Sequence, residues 1–227
     1  MTEKQMIDLV YVRTNTIGDS RFPYLLLREY INQSQREIQL SLFGNGYKKW
    51  EKVSGNLSPT TESLFGADNC VSVAVPTDTL EVPEAIRFIE YGVSGGVRGM
   101  ATEVNELTFQ ELIKNAFLQP TYRNPVFARI DNKLYVIPTA GDVFYVHYYY
   151  RIADLASTGT SSDMPLQVQA QVVDTAIAKV KQDLKMYGEA QAIYQKVKDE
   201  LITFVNSYKL SQSEANQTPN KAEVAVQ

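Results

Sequence analysis

The sequence predicts an α+β protein: a long-helix bundle of one N-terminal and two C-terminal helices, an antiparallel β-rich insertion between them, and an extended C-terminal tail. Three observations carry this reading. Apolar residues recur at helical spacing over 20–42 and over 163–210. Strand-like alternation fills much of 71–150. From Ser211 the chain reads SQSEANQTPNKAEVAVQ, too polar to build a core.

The first helix is predicted from Ser20 to about Leu42, with Leu27, Ile31, Ile38 and Leu42 on one stripe and a polar gap at Ser34 and Gln35. That gap predicts a helix only half covered by its own domain. Gly44, Asn45 and Gly46 end it. Tyr47 to Cys70 is rich in Ser, Thr, Gly and Asn and reads as a loop carrying one short strand around Trp50. Val71, Val73 and Val75 mark a strand, and Ala85 to Val93 a second. Gly92 to Gly99 reads as a hairpin or long loop. A short helix spans 108–118, where Thr108 and Glu111 have capping-box spacing.

Val126 to Ile130 and Lys133 to Ile137 form a hairpin around Asp131–Asn132. Val143 to Tyr150 follows as a strand with two apolar faces, Val143, Tyr145, His147 and Tyr149 on one and Phe144, Val146, Tyr148 and Tyr150 on the other. Such a strand must be covered on both sides. Ser162 or Asp163 caps the next helix, with Pro165 in its first turn. Val173, Ile177, Val180, Leu184 and Tyr187 continue it to a break at Gly188. Ile193, Val197, Leu201, Phe204 and Tyr208 mark the last helix.

A chain of 227 residues can bury about 70% of its surface and needs no disulfide or metal to hold a core. With Cys70 and His147 as its sole Cys and His, it has no disulfide framework and no structural zinc set. Lys and Arg number 22 against 26 Asp and Glu, a net charge of −4 that argues against a nucleic-acid coat. No apolar run is long enough to cross a membrane, and MTEKQMIDLVYV lacks signal-peptide features. The expectation is a soluble protein of a reducing compartment. Fourteen Tyr fit either a protein interface or a Tyr-rich sheet.

No catalytic, metal or cofactor constellation emerges. GVSGGVRG at 92–99 is followed by neither Lys-Ser/Thr nor a helix, so it reads as a hairpin tip rather than a phosphate loop. His147 sits mid-strand among aromatics, as a core or interface imidazole would. Cys70 reads as a small buried hydrophobe. Asp78, Glu81 and Glu84 read as an acidic surface, without the spacing of a calcium loop.

The order of elements carries more information. YLLLREYINQSQREI at 24–38, VPEAIRFIEYGV at 82–93, LTFQEL at 107–112, NPVFARIDNKLYVIPTAGDVFYVHYYYRIADL at 124–155 and MPLQVQAQVVDTAIAKVKQDL at 164–184 follow one another in a set pattern. This resembles the head-to-tail adaptor (connector) proteins of tailed bacteriophages, over about residues 20–210. Thr139 and Ala140 stand after Pro138 where such adaptors often carry a second proline, and the glycine segment is longer than the minimal pattern.

The resemblance implies a structural virion protein and no enzyme. It implies a homo-oligomeric ring, usually a dodecamer, at the phage neck, joining portal protein to tail or further neck proteins. DNA would pass through the channel without sequence-specific binding, and an acidic lumen suits that passage. The protein would reside in the host cytoplasm before assembly, with no membrane partner. Residues 1–210 are then one adaptor-like domain and 211–227 a docking tail. Interface candidates are Tyr145, Tyr148, Tyr149 and Tyr150, with Ala222, Val224 and Val226 alternating along the tail as a strand-adding peptide would. Rival expectations are a tail-completion (stopper) ring, or a small-molecule-binding or hydrolytic domain using His147 and the 92–99 loop.

Overall fold

A computed structural model describes residues 1–64, 67–115, 117–139 and 141–217. In chain order the elements are α1 (Glu3–Thr14), α2 (Tyr24–Gly44), β1 (Glu51–Val53), β2 (Thr60–Leu64), β3 (Ala67–Ala74), β4 (Ile86–Gly92), β5 (Arg98–Glu103), α3 (Glu106–Lys114), β6 (Val126–Ile130), β7 (Lys133–Ile137), β8 (Val143–Tyr149), α4 (Gln169–Asp183) and α5 (Tyr187–Gln217). The α+β class holds. The chain divides into two compact units: Met1–Lys48 with Ile152–Gln227, and Lys49–Arg151.

In the helical unit α4 packs against α1, α2 and α5. Val172, Val173, Ala176, Ile177 and Val180 of α4 are buried, as are Leu27, Ile31, Ile38 and Leu42 of α2. Ion pairs flank the contacts: Arg13 with Asp174 at 2.6 Å, Lys179 with Glu37 at 2.6 Å, and Lys196 with Asp174 at 3.2 Å. Helix α1 has no counterpart in the sequence reading, because its apolar stripe of Met6, Ile7 and Val10 is only about a turn long. A capping box defines its start, with Gln5 N–H donating to Thr2 Oγ1 at 3.3 Å and Thr2 N–H to Gln5 Oε1 at 2.8 Å.

The predicted half-covered α2 is wrong. Asn32, Ser34, Gln35 and Gln39 are all buried, and their side chains are occupied. Asn32 clasps Leu155 from both sides: Leu155 N–H donates to Oδ1 at 2.9 Å, and Nδ2 donates to the Leu155 carbonyl at 3.3 Å. Ile152 N–H donates to Gln39 Oε1 at 3.0 Å, and Ser162 Oγ donates to Gln35 Oε1. The amides therefore satisfy buried backbone groups of Ile152 and Leu155, which lie outside any assigned strand.

Boundaries shift for local reasons. Helix α2 starts at Tyr24 rather than Ser20, because Pro23 holds its N-terminus in extended geometry. Ser162 is engaged by Gln35 and by Met164 N–H, so it does not cap α4, which follows a 3₁₀ turn at Leu166–Val168. The break between α4 and α5 falls at Lys185, with φ 62°, and not at Gly188. Met186 N–H reaches the Lys181 carbonyl at 2.8 Å and Lys185 N–H the Gln182 carbonyl at 2.9 Å, a Schellman closure. The predicted extended tail is also corrected at its start: residues 211–217 continue α5, and Ala222, Val224 and Val226 lie outside the described residues.

The strands form one eight-stranded sheet ordered β1-β8-β4-β5-β6-β7-β3-β2. It is antiparallel except for β5 and β6, which pair in parallel at Thr102–Val126 and Glu103–Phe127. The predicted antiparallel insertion misses this pair: a parallel partner needs a crossover, and α3 lies on that crossover. Helix α3 spans Glu106–Lys114 rather than 108–118, and Asn105 caps it by accepting from Thr108 N–H at 2.8 Å. Beneath α3, Phe109 and Ile113 pack with Cys70, Ala128, Tyr135 and Ile137. The other core holds Phe144, Val146 and Tyr148 with Ile89, Tyr91, Phe127, Leu134 and Val136. Strand β2 and the start of β3 lie in the segment that composition reads as loop, and β5 follows the glycine segment that reads as a hairpin or long loop. Edge strand β2, TTESL, is mostly exposed; Glu62 and Leu64 are its half-buried positions, and Leu64 is its one apolar residue.

Replacing Asn32 with Ala should cost about 1–3 kcal/mol, since it strands a buried N–H and carbonyl of Leu155. Arg36→Ala, at the exposed pair with Asp154, should cost less than about 1 kcal/mol. Urea unfolding of both variants checks the contrast.

Candidate functional site

Strand β8 carries the residues that the sequence singles out, and the two sides of the strand do different things. Tyr148 is buried in the sheet core and its hydroxyl donates to Asp78 Oδ1 at 2.7 Å. Lys52 Nζ donates to the other Asp78 oxygen at 2.6 Å. Burial works to raise the Asp78 carboxyl, but the hydrogen bonds from Lys52 and Tyr148 outweigh it and hold it below its ordinary value. Burial, with the Asp78 hydrogen bond second, pushes the Tyr148 phenol up to about 12. Tyr149 is buried, while Tyr145 and Tyr150 are half-buried. Tyr150 N–H donates to the Trp50 carbonyl at 2.9 Å.

His147, on the opposite face from Tyr148, stacks on Phe88 with ring centroids 4.0 Å apart. That is the packing role the sequence suggests. In the acidic loop Glu81 and Glu84 are exposed, as on an acidic surface, while Asp78 meets Lys52 and Glu81 meets Arg151 at 2.8 Å. Sequence distance hid these pairs, since each cation lies in a different segment from its carboxylate.

The glycine segment is the β4–β5 hairpin, and its conformation is fixed by close approaches. A Cβ at Gly99 would sit 2.6 Å from the carbonyl oxygens of Tyr122 and Arg123. Ser94 N–H donates to Asp142 Oδ1 at 2.6 Å, tying the hairpin to the turn before β8. In that turn the Tyr91 hydroxyl donates to the Pro138 carbonyl at 2.6 Å and accepts from Gly141 N–H at 2.9 Å. A Cβ at Gly141 would overlap the Tyr91 ring.

Among the described residues no group of three His, Cys, Asp or Glu could hold a metal ion. No helix among them is long and apolar enough to cross a membrane. What β8 and its neighbours bring together is packed aromatics and paired charges. The chain matches the family model described as SU10 adaptor protein over residues 1–222, and it belongs to that family. No curated protein matches it. The family is a structural adaptor family and not an enzyme family, which makes this chain a phage structural adaptor, consistent with a head–tail adaptor. Such an adaptor contacts other phage head and tail proteins and belongs to the virion.

Two outcomes follow from this geometry. Gly141→Ala should destabilise the protein by about 1–3 kcal/mol through overpacking on Tyr91. Gly159→Ala, with open space at its Cβ position, should be neutral within about 0.5 kcal/mol. Thermal unfolding compares them. The lowered Asp78 carboxyl contributes stability above its ordinary value near 3.8, lost as pH falls through the folded value. The raised Tyr148 phenol contributes stability below about pH 10, lost as pH rises toward about 12. Tyr148→Phe should therefore flatten the alkaline limb of a stability–pH curve.

Proposed function

We propose that the protein forms a homo-oligomeric ring, a dodecamer, at the neck of a tailed phage, where it joins the portal protein to the tail and lines the DNA channel. The observation that carries this is the adaptor family match over residues 1–222, which runs through both compact units. In this reading 1–210 act as one adaptor-like domain, with the long helices as a bundle and the sheet as its insertion. The net charge of −4 supports a channel wall that DNA slides past without sequence-specific binding. Subunits wait in the host cytoplasm as monomers or weak oligomers and close into a ring on the portal.

Tyr145, Tyr148, Tyr149 and Tyr150 remain interface candidates in this reading. Tyr145 and Tyr150, half-buried, have the most surface left to offer. The terminal segment with Ala222, Val224 and Val226 serves as a docking peptide that adds as a strand to a sheet edge of the portal.

Mass photometry of protein mixed with portal at micromolar concentration should show a ring-sized gain in mass. Absence of any association would overturn the reading. Removing residues 218–227, beyond the end of α5, should leave thermal stability unchanged while weakening portal binding by roughly tenfold, about 1.4 kcal/mol. Unchanged portal affinity would remove the tail from the docking scheme.

A further inference from the structure

Helix α2 ends on Asn45–Gly46, the one Asn-Gly pair in the sequence. Gly46, with φ 98°, takes the left-handed turn that glycine adopts without cost. Its N–H donates to the Phe43 carbonyl at 3.0 Å, and Tyr47 N–H donates to the Leu42 carbonyl at 2.9 Å. Those two bonds close the helix as a Schellman motif. The Asn45 side chain folds back on the same turn, with Nδ2 donating to the Ser41 carbonyl at 2.7 Å.

The pair also has a chemistry of its own. In an open Asn-Gly segment the glycine nitrogen can attack the asparagine side-chain carbonyl carbon, because no Cβ shields that nitrogen. A bond forms between Gly46 N and Asn45 Cγ, and Nδ2 leaves as ammonia, carrying the former Gly46 amide proton. Water then opens the five-membered imide at either carbonyl, adding its hydroxyl to the carbon and returning a proton to the nitrogen. The products are aspartate or isoaspartate. Water is the co-reactant, and nothing is oxidised or reduced.

Lack of solvent does not hold this reaction back, since Asn45 and Gly46 are both exposed. The hydrogen bonds do. A base must take the Gly46 amide proton, and that proton points at the Phe43 carbonyl. The amide to be attacked is tethered to Ser41. Freeing both requires the closure to open, and the closure is held from outside α2. Tyr47, 5% exposed, packs its ring against Phe204 and Tyr208 of α5, with centroids 5.2 and 4.7 Å away. Lys209 packs beside Gly46, where a Cβ would come 3.2 Å from its Cε.

We propose that Asn45–Gly46 is a self-modification site, shut while residues 204–209 of α5 sit on Tyr47 and Gly46 and opened when they leave. Deamidation then acts as a one-way mark on the subunit. The new carboxylate stands beside the Ser41 carbonyl at the negative end of α2. Isoaspartate adds a methylene to the backbone inside the closure. Either product loosens the seat of Tyr47, so the end of α5 docks back less well. The inference concerns a single subunit and does not depend on the ring reading.

Mass spectrometry of the full chain, aged in mildly alkaline buffer, reads the site as conversion of the Asn45 amide to a carboxylate. The native chain should deamidate there at least about tenfold more slowly than the chain in guanidinium chloride, because the reaction waits on local opening. Equal rates would overturn the shutter, and no deamidation in guanidinium chloride would overturn the site. Tyr208→Ala should raise the native rate about tenfold, while Asn32→Ala, which weakens α2 away from its end, should leave it within about twofold. An unchanged rate in Tyr208→Ala, or an equal rise in Asn32→Ala, would overturn the role of α5. The unaltered chain gives a reading free of any folding defect. Through sub-denaturing guanidinium chloride, deamidation and hydrogen exchange at the Gly46 amide should rise together. Deamidation that rises only with global unfolding would overturn the local shutter.

Discussion

The structure depends on a hydrogen-bonding constraint: backbone taken out of water must find partners, and here side-chain amides supply them. Where the chain resumes the helical unit at Ile152, it pairs with no strand among the described residues. Asn32 and Gln39 of α2 provide the donors and acceptors that a neighbouring strand would have given. Gln35 then receives Ser162, whose oxygen holds Met164 N–H, and Gln169 Nε2 binds the Met164 carbonyl at 2.9 Å. This seam sets the path into α4, which the other three helices of the unit pack against.

The sheet unit solves the same problem in the same way. Beyond β1 the chain stops pairing as a regular strand, yet β8 stays satisfied. Val146 N–H donates to Ser54 Oγ and Phe144 N–H to Asn56 Oδ1, both at 2.9 Å. A stretch whose composition reads as loop therefore acts as half a strand. The Tyr91 hydroxyl, held between Pro138 and Gly141, ties the turn before β8 to β4 in a similar manner.

For an adaptor, this division of labour matters. The tyrosines that composition suggests as contact residues are partly spent on the interior, Tyr148 on Asp78 and Tyr91 on its turn. The large exposed apolar groups fall elsewhere, among them Phe117 and Leu118 after α3, Leu25 and Leu40 on α2 and Leu210 on α5. Contact surfaces in such a protein need not coincide with its richest aromatic segment, because the sheet claims aromatics for its own packing first.

The sequence by itself determined the elements whose signals are local. The stripe of Leu27, Ile31, Ile38 and Leu42 made α2 legible, the Asp131–Asn132 turn between two apolar runs made the β6–β7 hairpin legible, and an apolar run on both faces made β8 legible. The order of these elements was enough to point to the adaptor family. Tertiary structure decided the rest. Asn32, Gln35 and Gln39 look like a wet gap until a partner backbone at 152–155 is known, since a polar side chain is buried only where its hydrogen bonds are met. The parallel β5–β6 pair and the Asp78–Tyr148–Lys52 cluster likewise join residues far apart in the chain. Periodicity reports which face of an element is apolar, and only the folded chain reports which polar groups find one another.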